Sequence, residues 1–263
     1  MRQHIPNFFT LSNLFFGCCA LILLLNGLVV PAAWFVLGSF LCDYADGMVA
    51  RALRVASPMG RELDSLADVV SFGVVPGAML YGLLASAYCP DFPGFFPWKS
   101  DSALTTEITR MAICPMALPA FLLSMFSAYR LAKFNLDTRQ KHYFMGLSTP
   151  GCTVFVLGLM LAAHTNQLNI GSLLVAQPWL LYILIGLFSF LLVSDIPMFA
   201  LKFRSRRLRE NKMPSLFLAL ALSALVLLKG LGLSLVILFY IVLSLFSKNK
   251  IINADQATNR PGL

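Results

Sequence analysis

Residues 32–53 of the 263-residue chain read AAWFVLGSFLCDYADGMVARAL. The stretch opens on an apolar run and is long enough to cross a membrane, because the hydrocarbon core needs roughly 20 residues of helix. Its second half carries two aspartates, Asp43 and Asp46, and then Arg51. Acidic side chains near the centre of a membrane helix cost at least about 2.5 kcal/mol each, so their presence indicates a function. The stretch therefore predicts a transmembrane helix with chemistry near one end.

Apolar runs of this kind recur along the whole chain. Hydrophobic residues make up 58% of the sequence and charged residues 12%, with a mean hydropathy of +0.77, whereas soluble domains carry about 25% charged residues. This composition excludes a soluble globular protein and a disordered chain. Backbone groups in lipid must be satisfied within the segment, so each run predicts a helix. The sequence predicts an all-α, polytopic transmembrane bundle of about eight spans, at 8–30, 32–53, 61–86, 111–134, 150–166, 174–194, 215–228 and 231–247.

The charge pattern separates the last quarter of the chain from the rest. A basic loop at 201–214 separates a membrane core at 1–200 from a transmembrane hairpin at 215–247 and a tail at 248–263. Lys229 and Gly230 lie between the last two apolar runs. They form either a hairpin turn or a kink in one tilted helix.

The net charge of +8 describes topology rather than a nucleic-acid site. With the N-terminus in the cytoplasm, all lysines and arginines except Lys99, Arg110 and Lys229 fall on the inner side, as the positive-inside rule requires. We expect a multi-pass protein of the cell (inner) membrane, its site facing the cytoplasm, with membrane lipids and no nucleic acid among its partners. The basic stretch 202–212 either gathers anionic lipid or anchors the topology.

The cysteines and histidines offer no metal site. The six cysteines lie mostly inside apolar runs without a CxxC pair, and the three histidines are isolated. We predict that the cysteines are small buried hydrophobes. Any metal chemistry must then come from carboxylates.

A second pair of aspartates, Asp64 and Asp68, follows at the start of the third span. Positions three or four apart share a helix face, so Asp43 with Asp46, and Asp64 with Asp68, each form a pair. The short connection 52–59 makes the two helices antiparallel neighbours and brings the pairs together. Carboxylates so close cannot all stay ionised without cations. Oxygen ligands suit Mg²⁺ or Mn²⁺, and we predict two ions.

Small and basic residues surround the acids. Gly47 and Ala50 leave a groove for a bulky ligand, Arg51 offers a bidentate partner for phosphate, and Gly60 permits a sharp entry into the next helix. Two alternatives remain: an inert network of the acids with neighbouring arginines, or a proton or divalent-cation relay in a transporter. A relay leaves the small residues without a role.

The window DxxDGxxAR, eight residues, then GxxxDxxxD resembles the signature of the CDP-alcohol phosphatidyltransferases at every specified position. Further segments resemble the phosphatidylserine synthase branch: a PNxxTxxNLxxG-like pattern at 6–17, DxxSFGxxP at 68–76 and RLAKFN at 130–135, where lysine replaces an arginine. The resemblance implies six core helices around a two-metal site, transfer of the phosphatidyl group of CDP-diacylglycerol to L-serine with release of CMP, and a homodimer. Glycerol 3-phosphate, inositol phosphate and choline remain alternative acceptors.

The resemblance also implies residue roles. Asp43, Asp46, Asp64 and Asp68 hold the metal ions, and Asp68 is in addition the general base toward the serine hydroxyl. The predicted contacts of CDP-diacylglycerol are Asn7, Thr10, Gly47, Ala50, Arg51, Gly60 and Ser65. The predicted serine contacts are Arg130, Lys133 and Asn135.

Overall fold

A computed structural model describes residues 4–55, 57–89, 113–136, 144–198 and 212–258. The helices are α1 His4–Leu25, α2 Val29–Leu53, α3 Pro58–Val69, α4 Val75–Tyr88, α5 Leu122–Leu136, α6 Thr149–His164, α7 Ile170–Ala176, α8 Trp179–Val193 and α9 Lys212–Thr258. The all-α prediction is confirmed; a two-residue antiparallel ladder, Phe144–Met145 with Pro197–Met198, is the exception among the described residues. Residues 90–112 and 199–211 lie outside the described residues, and with them most of the basic stretch at 202–212.

Several helices could span a membrane, as the composition predicts. By length and composition, four described segments could cross a bilayer: His4–Leu25, Val29–Leu53, Pro58–Tyr88 and Leu220–Leu245, of which the last contains a break at Lys229. A bent pair, Thr149–His164 with Gln167–Ala176, would make a fifth. The count of eight spans stays a prediction.

Helix α4 occupies the centre of the bundle. Its residues from Val75 to Leu80 and from Gly82 to Ser86 are all buried. A helix that is apolar on all sides can be buried on all sides, and this one packs against α1, α5, α6 and α7. The bundle thereby fixes α3, which continues into α4 and carries two of the aspartates.

The third span is not a uniform α-helix, contrary to the prediction for 61–86. A π-helical turn, Val70–Val74, joins α3 to α4. Around this turn Thr153 Oγ1 donates to the carbonyl of Phe72 at 3.2 Å, and Ser124 Oγ donates to the carbonyl of Gly73 at 2.8 Å. The turn is therefore tied to both α5 and α6, directly after the acidic segment. Turns of this type often lie beside functional sites.

The predicted span at 174–194 was wrong at its start. Leu174 belongs to α7, and α8 begins only at Trp179, after Pro178. The chain bends by 110° between α6 and α7 because Asn166, Leu168 and Asn169 all adopt left-handed backbone conformations. Leucine is rare in that conformation, so the sequence carries no clear signal for the bend.

Helix α9 folds back on itself. Its backbone conformation breaks at Lys229, with φ 40° and ψ −113°, and the ring of Phe217 lies 6.1 Å from that of Tyr240. A straight helix would separate these side chains by about 35 Å, since each residue rises 1.5 Å. Lys229 therefore forms a hairpin turn between two arms, the first of the alternatives that the sequence left open. We call residues 230–258 the return arm.

Two cysteines contradict the prediction that all six are packing residues. Cys89, directly after α4, forms a disulfide with Cys114, directly before the 3₁₀ helix Pro115–Phe121 that leads into α5. Of the free cysteines, Cys152 is buried and Cys18 is exposed. A separation of 25 residues without a CxxC spacing gives no sequence signal for pairing. The disulfide lies at the end of α4 remote from the aspartates.

Candidate active site

The loop between α2 and α3 sets the site's geometry. Arg54 ends α2 in a left-handed conformation with φ 53°, and the amide of Val55 donates to the carbonyl of Ala50 at 3.0 Å, closing the last turn. Ser57 then caps α3 by accepting from the amide of Gly60 at 2.9 Å, with Pro58 in the first helical position. The two helices are thereby joined by a short connection, and each packs against α1 rather than mainly against the other, so the predicted direct neighbours meet through α1.

This connection brings the predicted acids together. One carboxylate oxygen each from Asp43, Asp64 and Asp68 lies within 4.8 Å of the others. Asp46 lies alongside this trio and is buried, with its Oδ2 accepting from Thr10 Oγ1 at 2.7 Å. We call these four residues the aspartate cluster. All four predicted metal ligands thus share one site, with Asp46 slightly apart from the trio.

The arginines near the cluster do not neutralise it by direct pairing. Within the described part of the chain, no arginine nitrogen lies within 4.0 Å of the cluster, and the ion pair found there joins Lys133 to Asp195. Arg51 attracts Asp46 only over a longer distance. The inert network that the sequence allowed is therefore not what the structure shows.

The cluster has the properties of a divalent-cation site. Asp64 Oδ1 is buried and has no hydrogen-bond partner among the described residues. Oxygens around one Mg²⁺ ion span about 4.2 Å, since each binds at about 2.1 Å. The trio's spacing is close to that span, and its donor set consists of hard carboxylate oxygens. The residues present fit a divalent metal ion.

Asn13 is a site residue whose role the sequence did not reveal. It is fully buried, and its Nδ2 donates to Asp68 Oδ1 at 3.1 Å. Ser39 on α2 donates to the Asn13 side chain, and Ser71 in the π-helical turn donates to the Asn13 carbonyl at 3.1 Å. The asparagine appears in the N-terminal pattern, but the pattern does not say which carboxylate it contacts.

An open cavity of about 800 Å³ lies beside the cluster, between the start of α1, the end of α2 and the start of α3. Six of the seven predicted CDP-lipid contacts line it: Asn7, Thr10, Gly47, Ala50, Arg51 and Gly60. Ser65 is not in the cavity wall, and accepts from Asn135 Nδ2 at 2.8 Å instead. Arg54 and Arg61 join Arg51 in the wall, which gives the cavity three guanidinium groups. From the sequence, Arg54 and Arg61 were expected as topology markers or as partners of the acids in an inert network, and not as residues of a ligand cavity.

The reason predicted for Gly60 was wrong. It lies within the first turn of α3, and Ser57 rather than Gly60 makes the entry into the helix. A Cβ at Gly60 would lie 3.0 Å from Ser57 Oγ and 3.2 Å from Asn7 Oδ1. The position therefore favours glycine because α1 and the cap approach closely.

The three predicted serine contacts differ in their partners within the protein. Arg130 is buried, with its Nε unpartnered among the described residues, and interacts electrostatically with Asp68. Lys133 is paired with Asp195 at 2.8 Å, and Asn135 donates to Ser65. Of the two predicted cations, Arg130 is therefore the one that is buried and retains an unpartnered donor.

Comparison with known proteins finds a family match that contains the whole site. A family model described as CDP-alcohol phosphatidyltransferase matches residues 3–187. The match contains α1 to α7, most of α8, and every residue of the cavity wall and the aspartate cluster. The hairpin of α9 lies beyond it.

Several curated proteins are similar to this chain, and each bears the name CDP-diacylglycerol–serine O-phosphatidyltransferase. A Bacillus subtilis protein is 32% identical over 170 residues, covering 65% of this chain and 82% of its own length. A Helicobacter pylori protein is 30% identical over 154 residues, 58% of this chain and 55% of its own. A Mycobacterium leprae protein is 30% identical over 203 residues, 74% of this chain and 58% of its own. The chain thus spans little more than half the length of some of these relatives.

Proposed function

The chain belongs to the CDP-alcohol phosphatidyltransferase family, and we propose that it transfers the phosphatidyl group of CDP-diacylglycerol to L-serine, forming phosphatidylserine and CMP in phospholipid biosynthesis. The observation that carries the proposal is the aspartate cluster beside a cavity lined by three arginines. A phosphate-bearing nucleotide lipid needs both features: carboxylates for divalent cations and guanidinium groups for the diphosphate.

The reaction is a displacement at phosphorus. The serine hydroxyl oxygen forms a bond to the β-phosphorus of CDP-diacylglycerol, the bond from that phosphorus to the CMP oxygen breaks, and CMP leaves with the electron pair. Asp68 accepts the hydroxyl proton, and Asn13 holds the carboxylate by its hydrogen bond to Oδ1. Arg51 in the cavity wall stabilises the charge on the departing phosphate.

Asp43, Asp46, Asp64 and Asp68 would hold two divalent ions, Mg²⁺ or Mn²⁺. When bound, such ions supply charge neutralisation of the diphosphate and of the leaving group. Gly47 and Ala50 leave the α2 face open for the nucleotide, while Asn7 and Thr10 supply polar groups from α1.

The serine acceptor is supported by Arg130. A carboxylate-bearing acceptor needs a cation, and a buried arginine with an unpartnered donor lies in the electrostatic field of Asp68. Lys133 and Asn135 remain proposed contacts on the same helix, although both have partners within the protein.

The test is CMP release by purified protein supplied with CDP-diacylglycerol and a panel of acceptors. We expect release with serine, abolished by chelation, and lowered by about 10²- to 10⁴-fold in Asp68→Asn, the usual contribution of a general base. Glu62→Gln, at an exposed acid on the same helix, is the matched control and retains activity. Release with glycerol 3-phosphate, inositol phosphate or choline instead would contradict the serine assignment. Metal flux into liposomes without lipid turnover would favour the transporter alternative.

We further propose that the aspartates face the cytoplasm and that the bundle lies in the cell (inner) membrane. The distribution of lysine and arginine supports this orientation, and so does the Cys89–Cys114 disulfide at the remote end, because disulfides persist in oxidising compartments. The orientation is tested by counting thiols with a membrane-impermeant reagent before and after reduction from outside the cell. Reduction should add two reactive thiols, and none if the disulfide end faces the cytoplasm.

The domain division and the homodimer are proposals as well. The core at 1–200 would perform the transfer, and the hairpin at 215–247 would be an addition to it. The dimer rests on the family resemblance alone, and light scattering of the detergent-solubilised protein tests it.

A further inference from the structure

Helix α1 holds two of the four aspartates by direct hydrogen bonds. Thr10 Oγ1 donates to Asp46 Oδ2 on α2 at 2.7 Å. About one turn later, Asn13 Nδ2 donates to Asp68 Oδ1 on α3 at 3.1 Å. Both α2 and α3 pack against α1. The first half of α1 therefore helps to set how the acids of α2 lie relative to those of α3.

The hydroxyl of Thr10 serves one carboxylate. It also lies 3.2 Å from the Pro6 carbonyl, but a hydroxyl has a single proton, and Asp46 is both the nearer and the charged acceptor. Thr10 is 3% exposed and Asp46 7%, so water has little access to replace the bond between them. Thr10 can therefore contact a nucleotide only through the lone pairs of its oxygen, because its proton is given to Asp46.

Asp46 is the member of the aspartate cluster that lies outside the trio. The trio's oxygens lie within 4.8 Å of one another, and Asp46 is not part of that group. Within the described part of the chain, Thr10 is the side chain that hydrogen-bonds Asp46, and no arginine nitrogen lies within 4.0 Å of it. This bond restricts the rotation of the carboxylate and still leaves lone pairs on both oxygens for an ion. The orientation of Asp46 toward the trio thus depends on Thr10.

We propose that Thr10 is a positioning residue for the metal ions: by holding Asp46, it sets the affinity with which the aspartate cluster binds divalent cations. This role rests on the metal binding proposed above for the cluster. Partners that orient a metal ligand usually contribute about 10- to 100-fold to metal affinity. Without the hydroxyl, the buried carboxylate loses the bond that fixes it and no longer presents a single orientation to an ion.

The test measures metal binding without any substrate. Mn²⁺ is titrated into the metal-free, full-length protein in detergent, and free Mn²⁺ is measured by electron paramagnetic resonance. We expect Thr10→Val, which replaces the hydroxyl by a methyl group, to raise the Kd for Mn²⁺ by about 10- to 100-fold. Thr10→Ser keeps the hydroxyl and should retain the wild-type Kd. Ser12→Ala is the matched control, because the Ser12 hydroxyl donates to the Phe8 carbonyl of its own helix at 2.8 Å.

The outcomes separate this role from the proposed function. A wild-type Kd in Thr10→Val overturns the role, and so does a Kd raised equally in Thr10→Ser or in Ser12→Ala. Thr10→Ala removes the hydroxyl without adding bulk, and it decides the question if Thr10→Val shows no cooperative melting transition.

CMP release with the acceptor panel is measured on the same wild-type protein. Mn²⁺ binding without CMP release in the presence of serine contradicts the proposed acceptor, and the Kd values of the variants still decide the role of Thr10. If the wild-type protein binds no Mn²⁺, the metal role of the cluster and the role of Thr10 are both overturned.

Discussion

Asn13 donates from Nδ2 to Oδ1 of Asp68 at 3.1 Å, so helix α1 orients the carboxylate that we propose as the general base. The asparagine is itself held by Ser39 from α2 and Ser71 from the π-helical turn. Three separate segments thus converge on one buried amide. This linkage holds one oxygen of the Asp68 carboxylate in a fixed position.

Asn13→Ala should therefore lower kcat by about 10- to 100-fold, the usual effect of removing a partner that orients a metal-site ligand. The KM for CDP-diacylglycerol should change much less, because Asn13 is not in the cavity wall. Asn26→Ala is the control directly after the same helix, since its Nδ2 donates to the Ile22 carbonyl at the end of α1 remote from His4. Equal kcat values for the two variants would show that Asn13 does not position the base.

Asp43→Asn should raise the melting temperature of the metal-free protein and remove most of the stabilisation that Mg²⁺ provides. In metal-free protein the clustered carboxylates repel one another, so replacing one by a neutral amide should raise the melting temperature. In wild-type protein, Mg²⁺ should raise the melting temperature by an amount that grows with metal concentration, since the ion binds the folded state. The variant should lose most of that increase. Thermal unfolding in detergent, first with chelator and then with Mg²⁺, measures both melting temperatures. A variant that melts below the wild type in chelator would contradict the repulsion between the carboxylates.

The aspartate cluster could be predicted because its geometry is local. Asp43 with Asp46, and Asp64 with Asp68, share helix faces by spacing alone, and a short connection keeps the ends of the two helices that carry them close together. Asn13 could not be assigned in this way, since it contacts Asp68 across 55 positions of the chain. The same limit applies to the Cys89–Cys114 disulfide, where nothing in the spacing selects the partner.

Hydropathy predicted where the helices lie, but not how the chain bends between and within them. Apolar runs located them, but not the bend before α7, where Leu168 adopts a left-handed conformation that packing imposes. The π-helical turn at Val70–Val74 was missed for a related reason. Its Phe72 and Gly73 carbonyls are stabilised by hydroxyls from α6 and α5, which are remote in sequence.

Gly17 marks a close contact between α1 and the π-helical turn. A Cβ there would overlap Ser71 Oγ and lie 3.1 Å from the Ser71 Cα. Gly17→Ala should destabilise the protein by about 1–3 kcal/mol, as overpacking does, and lower activity because Ser71 also holds Asn13. At Gly186 on α8 an added Cβ meets nothing within 4 Å, so Gly186→Ala is the matched control. Equal melting temperatures for the two variants would contradict the contact.

Arg130 and Lys133 should differ sharply as acceptor ligands. Lys133 is paired with Asp195 at 2.8 Å in a partly exposed position, and such pairs contribute about 0–1 kcal/mol. Lys133→Ala should therefore raise the KM for serine by less than about threefold, whereas Arg130→Lys, which loses the planar donor set, should raise it by more than about tenfold. Steady-state kinetics at saturating CDP-diacylglycerol decide this, and the reverse order would assign the carboxylate to Lys133.

Gln167 connects the bend after α6 to the hairpin turn of α9. Its Nε2 donates to the Leu228 carbonyl at 2.7 Å, and its Oε1 accepts from the Leu231 amide at 3.3 Å, so one side chain satisfies both sides of the break at Lys229. Gln167→Ala leaves both backbone groups unpaired and should cost about 1–3 kcal/mol. The melting temperature should fall by about 2–4 °C per kcal/mol, as for a domain of this size. Gln177→Ala, at an exposed glutamine after α7, is the matched control, and a fall of equal size in both variants would show that the hairpin turn does not depend on Gln167.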